Sequence, residues 1–176
     1  MGRKKRITFF ASPSNITSSR RLWRFICFGR LSVTSATAPP IAFHLWHCAR
    51  WADRWAEALG APDQVWVRDG LAESWGFPAE VGPGVTGMRM PDEDAADLPF
   101  PERQALTAYL RAAFAGLEAQ LAGLDDARLL ARADDLLGEE RALGASLLRQ
   151  LAHANRHLGM IEALRGVRGQ HGTATV

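Results

Sequence analysis

Beyond residue 40, apolar residues return every three or four positions with polar residues between them, the period of helices laid against a common core. After APP at residues 38 to 40, IAFHLWHCARWADRWAEALG runs unbroken to Gly60 and predicts a helix over residues 41 to 59. At about 100° per residue, Ile41, Leu45, Cys48, Ala52, Ala56 and Leu59 fall on one stripe, while Arg50, Asp53 and Arg54 point away from it. PERQALTAYLRAAFAGLEAQLAGL predicts a second long helix, with Leu106, Leu110, Phe114, Leu117, Leu121 and Leu124 spaced four, four, three, four, three. DDARLLARADDLLG predicts a shorter one between an aspartate start and a stop at Gly138. The last long helix is expected from near Glu140 to near Gly166, where Leu143, Leu147, Leu151, Ala154, Leu158 and Ile161 repeat the spacing and should hold it in the bundle. No strand survives the count of apolar alternation, and no internal repeat is convincing. The fold class is therefore all-α, antiparallel and bundle-like.

Residues 61 to 99 break the pattern, turning rich in Gly, Pro, Trp and acidic residues, with only LAESWGF patterned as a short helix. A connection of this length in a compact domain usually carries function or mobility. The tail GVRGQHGTATV holds too many glycines to continue the last helix and is expected to cap one end of the bundle as extended chain.

A length of 176 residues, with 47% hydrophobic and 23% charged residues, suits one soluble domain with a real core and excludes collagen-like, disordered and membrane-embedded classes. Charge divides the chain. Residues 1 to 38 hold 8 of the 21 basic residues and none of the 19 acidic ones, leaving 13 basic against 19 acidic in residues 39 to 176. Three readings of this leader compete: a targeting segment, a nucleic-acid-binding arm built on GRKKR, or an atypical amino terminus whose residues 20 to 33 form one amphipathic helix. The last is favoured. RLWRFICFGRL is too short and too interrupted by arginine to span a membrane. The acidic body would repel phosphate, and neither a phosphate-cradling glycine loop nor a GxSxG elbow is present. Neither nucleic acid nor membrane is an expected partner. Cys27 and Cys48 share no metal or redox spacing, which fits a reducing, cytoplasmic setting.

The chemistry concentrates in histidine. His153 and His157 stand four apart, hence one above the other on a single helix face, at the edge of the leucine stripe. On the earlier helix His44 lies about 70° from the centre of its stripe and His47 about 130° away, so His44 is the better inward candidate. Alone, an HxxxH pair is more often two polar edge residues than a site. A third imidazole from a facing helix would complete a set suited to Zn, Ni or Fe(II), with a position left open for water or substrate. His171, in the tail, is expected to be solvated.

HLWHCARW on the first predicted helix, with HANRHLGMIEALRG followed by GTAT, resembles the DinB/YfiT-like metalloenzyme superfamily over about residues 40 to 176. The resemblance implies a four-helix bundle holding a divalent metal through one histidine of the helix at residues 41 to 59 and two on the last helix. By position these are His44, His153 and His157, with His47 as the substitute for His44. The basic leader departs from the acidic, leucine-rich first helix of that family. If residues 20 to 33 leave the groove open, the bundle exposes an apolar stripe and is weakly stable or pairs as a homodimer.

Relatives with assigned activities resemble thiol-dependent transferases and isomerases, in which the metal lowers the pKa of a low-molecular-weight thiol that attacks a small electrophile. A hydrolytic use of the metal would need a base, and no unambiguous Glu lies on the metal-facing side. The rival reading is a non-catalytic helical module, a stress-linked interaction or ligand-binding protein. Trp46, Trp51, Trp55, Trp66, Trp75 and Phe77 could wall an apolar pocket, but core filling accounts for most of them better. Cys48 reads as a small buried hydrophobe, and Asn155, Arg156, Glu162 and Arg165 as helix exterior. No catalytic residue is assigned.

Overall fold

Helix α1, Ile41–Leu59, starts directly after the Pro39-Pro40 pair and stops at Gly60, as its sequence predicts. A computed structural model describes residues 38–170, all within the compact unit Leu31–Val176. The expected helix near residues 20 to 33 and the tail bearing His171 lie outside the described residues.

The long connection contains more helix than its composition suggested, in the short segments α2 (Val65–Arg68), α3 (Leu71–Ser74) and α4 (Asp92–Asp97). Next comes α5, Arg103–Leu121. The single helix expected over residues 125 to 138 is instead a short α6, Asp126–Leu130, capped by the Asp125 carboxylate, followed by strand β1, Arg132–Asp134. β1 pairs antiparallel with β2, Glu140–Ala142, in the register Arg132↔Ala142, so the expectation of no strand is corrected. The cause is the turn, where the Asp135 carboxylate accepts from the backbone N–H groups of Leu137 and Glu139, a local bond that competes with helix. Helix α7, Leu143–Val167, closes the described chain.

Helix α1 packs on both α5 and α7. Its contact with α5 is close because the residues that meet are small: a Cβ added to Gly116 would lie 3.8 Å from that of Ala56. Leu106, Tyr109, Ala113 and Leu117 are the buried residues of α5, a face rotated from the predicted stripe, so that Phe114 and Leu121 are partly exposed. On α7 the reversal is larger. Its buried residues are Ser146, Gln150 and His157, whereas Leu151 and Leu158 are 58% and 51% exposed, so the expectation that this stripe seats the helix is corrected among the described residues. A wheel finds the most apolar face, but α7 turns His153 and His157 toward His44 and His47 of α1.

A second expectation is overturned on the far side of α1. Arg50 and Asp53, placed on the outer side of α1 by the wheel, are 0% and 1% exposed. Residues 61 to 100 fold over that side, so that from Ile41 to Ala56 only Leu45 and Arg54 are less than fully buried. The Arg50 guanidinium donates to the carbonyls of Pro83 and Val85, to Gln64 Oε1, to the Tyr109 hydroxyl and to Asp53 Oδ2. Asp53 in turn accepts from the N–H groups of Val65 and Trp66 at the start of α2 and from the Tyr109 hydroxyl. This network fastens the connection to α1.

Candidate metal centre

The clamp on Pro83 and Val85 delivers the next carbonyl to a histidine. Thr86 O accepts a hydrogen bond from His47 Nδ1. A carbonyl can only accept, so this bond keeps the proton on Nδ1 and leaves a lone pair on His47 Nε2. Gly87 makes the approach feasible: its φ is +83°, and an added Cβ would stand 2.7 Å from Trp46 and 2.9 Å from Phe43. Phe43 stacks flat on the His47 ring, with centroids 5.5 Å apart.

From α7, one turn apart, His153 and His157 face the same point. His153 Nε2 lies 3.0 Å from His47 Nε2 and 3.1 Å from His157 Nε2. The ligand atoms of His47, His153 and His157 all fall within 4.8 Å of one another. His44 is close by but differently placed, its Nδ1 being 2.9 Å from His157 Nδ1, on the opposite side of that ring from the nitrogen that meets His153. The converging trio thus takes its third member from His47, which the sequence held as substitute, and puts His44 behind His157. The wheel ranked them the other way because it took α1 to have a solvent side, and the folded connection removes it.

The sequence model of the DinB superfamily matches residues 19–161. The chain belongs to the DinB superfamily. No curated relative matches it. The match begins inside the basic leader and covers α1 and both histidines of α7.

The donor set in this DinB superfamily protein fits a divalent metal. Three Nε2 atoms crowded together have at most one useful proton among them as hydrogen-bond partners, whereas a cation engages all three lone pairs. Nitrogens bound at 2.0–2.1 Å to a tetrahedral zinc stand about 3.3 Å apart, near the 3.0 and 3.1 Å that separate His153 Nε2 from its two neighbours. His153 Nδ1 is buried without a partner, so it can take the ring proton when Nε2 gives up its lone pair. Burial, reinforced by His157, holds His44 near pKa 4. Burial also brings His47 to about 3, against the raising effect of its bond to Thr86. His153 is held near 4 by burial, then by His157 and Arg156, and His157 is lowered by burial and Arg156. All four imidazoles are therefore neutral at pH 7, the form that binds metal.

The trio opens onto a cavity of about 460 Å³, walled by Phe43, Trp51, Trp55, Met88, Met90 and Met160. Two of the tryptophans thus line a pocket, while Trp46 and Trp66 fill the core, so both roles weighed for the aromatic run occur. Arg89, Arg149 and Arg156 also line the cavity. Arg149 pairs with Glu139 and Asp135, whereas Arg89 and Arg156 have no ionic partner among the described residues. Asp92 and Asp135 supply the lining carboxylates, and Asp135 is engaged by Arg141. Cys48 is buried, and burial pushes its thiol up to about 12, which suits a packing residue and not a nucleophile. Thr86 and Gly87 escaped the sequence reading, and Arg50 was read as pointing outward. The carbonyl that matters at Thr86 belongs to every residue, whereas an arginine and an aspartate at i and i+3 among the tryptophans of α1 were a readable sign of a buried network. No described helix is long and apolar enough to cross a membrane.

Proposed function

We propose that this protein holds one divalent metal ion through His47, His153 and His157 and uses it for thiol-dependent transfer chemistry in a reducing, cytoplasmic setting. The observation that supports this most is the convergence of three neutral Nε2 atoms at the edge of a cavity large enough for a small molecule. In this reading α1, α5 and α7 are three helices of a four-helix bundle. A metal of the Zn, Ni or Fe(II) kind would supply Lewis acidity, lowering the pKa of a bound thiol. The chain's own groups do the rest. Thr86 keeps the His47 proton off the metal side, and Trp51, Trp55 and Phe43 exclude water from one wall. Asp92 lines the same cavity and has no bonded partner among the described residues, which leaves its carboxylate available to a polar group of the substrate. Arg89 and Arg156 favour a thiol or electrophile that carries a carboxylate.

Metal-limited protein titrated with zinc should bind one ion per chain, and His153→Ala or His47→Ala should abolish tight binding. Absence of binding by the wild type ends this reading. In cobalt-loaded protein, mercaptosuccinate should produce a sulfur-to-cobalt charge-transfer band at lower concentration than 2-mercaptoethanol does. Metal without any thiol band would leave the non-catalytic metal-binding module as the better account.

A further inference from the structure

The two α1 histidines contact the trio in unlike ways. His47 presents Nε2 to the trio and gives Nδ1 to a carbonyl. His44 presents Nδ1 to the far nitrogen of His157, at 2.9 Å. Two ring nitrogens at that separation share one proton, and its side decides what His157 can do. Were His44 the donor, the single proton of neutral His157 would sit on Nε2 and point at His153, blocking that lone pair. With His157 as donor, its Nε2 lone pair faces the trio. Both rings are buried, at 4% and 7% exposure, so water is a poor substitute for either partner.

We propose that His44 is a positioning residue: its Nδ1 accepts the His157 Nδ1–H and thereby keeps the His157 Nε2 lone pair free for the metal. This rests on the metal-binding reading above. His44 does for His157 what the Thr86 carbonyl does for His47, with one difference. A carbonyl accepts by its nature, whereas an imidazole accepts only in one tautomer, so His44 carries its own proton on Nε2. Both of these ligand orientations thus trace to α1 and the connection folded over it. His153, whose Nδ1 has no partner, is the ligand left unconstrained from behind.

The test compares His44→Asn with His44→Phe. Asparagine offers an acceptor oxygen near the place of Nδ1 and gives up the ring; phenylalanine keeps the ring and gives up the acceptor. The protonated nitrogen of His157 is read in metal-free, isotope-labelled protein by long-range proton–nitrogen correlation, and zinc affinity by competition with a chromophoric chelator. Wild type and His44→Asn should carry the His157 proton on Nδ1. His44→Phe should lose that signature and bind zinc about ten- to a hundredfold more weakly than His44→Asn, still at one ion per chain. Phenylalanine binding zinc as tightly as asparagine would show a packing role and overturn the proposal. So would a wild-type His157 proton on Nε2. Loss of stoichiometric zinc in both variants, with His47→Ala retaining it, would make His44 a ligand and equally overturn it. A wild type that binds no zinc defeats the metal reading instead, and the spectrum still decides the direction of the hydrogen bond.

Discussion

On α1, Arg50 and Asp53 stand about one and two turns beyond His47, all three buried, and the two clusters treat their polar atoms differently. Every nitrogen of the Arg50 guanidinium finds an oxygen, and both Asp53 oxygens find donors. The histidines have an excess of acceptors in the middle and one orphaned Nδ1 at the rim. A closed network needs nothing further, so its role is to hold the fold. An open one has valence to spare, and that surplus marks a binding site better than burial or charge does.

Substitutions should separate the two. Asp53→Ala leaves Arg50 charged and buried without a counter-ion and strips the start of α2 of its acceptor, so unfolding in denaturant should show a loss of roughly 3–5 kcal/mol. His153→Ala in metal-free protein should cost less than about 1 kcal/mol, because its ring is only partly enclosed, while zinc binding is lost. Equal destabilisation by the two would break the comparison.

Gly87→Ala tests the junction between the clusters. The new methyl must displace Trp46 or Phe43 from a backbone already at positive φ, and a cost of roughly 1–3 kcal/mol is expected. Zinc affinity should fall with it, since Thr86 moves too. Unchanged affinity at lowered stability would mean that the Thr86 carbonyl does not orient His47.

The last test is in pH. His44 and His153 titrate near 4 and His47 near 3 in the folded protein, below the 6.5 of a free imidazole. The unfolded chain therefore takes up protons first as pH falls, so stability is full above about 6.5 and drains away toward about 4 for His44 and His153 and about 3 for His47. Calorimetry of metal-free protein should show the melting temperature dropping across that window, with a shallower drop in His153→Ala. A flat profile between those limits would contradict the burial of these rings.

What could be read in advance was local. The bounds of α1 follow from prolines before it and a glycine after it, and the His153–His157 pair needs only helical spacing. The sides of helices were harder. Counting apolar residues put Leu151 and Leu158 inside and Arg50 outside, because the count assumes that a helix meets one neighbour across an oily seam. Here α1 is covered on more than one side, by α5, by the connection and by the histidine-bearing face of α7. His47 was demoted for the same reason, and Asp135 hid a hairpin because its carboxylate bonds to the backbone of its own turn.

The strap from Pro83 to Gly87 gives the site an order of assembly. An isolated α7 already carries His153 and His157, but the third nitrogen, on His47, is aimed by the Thr86 carbonyl, which the Arg50 bonds to Pro83 and Val85 hold in place. On the metal-binding reading, a complete centre would therefore require the least regular part of the chain to have folded.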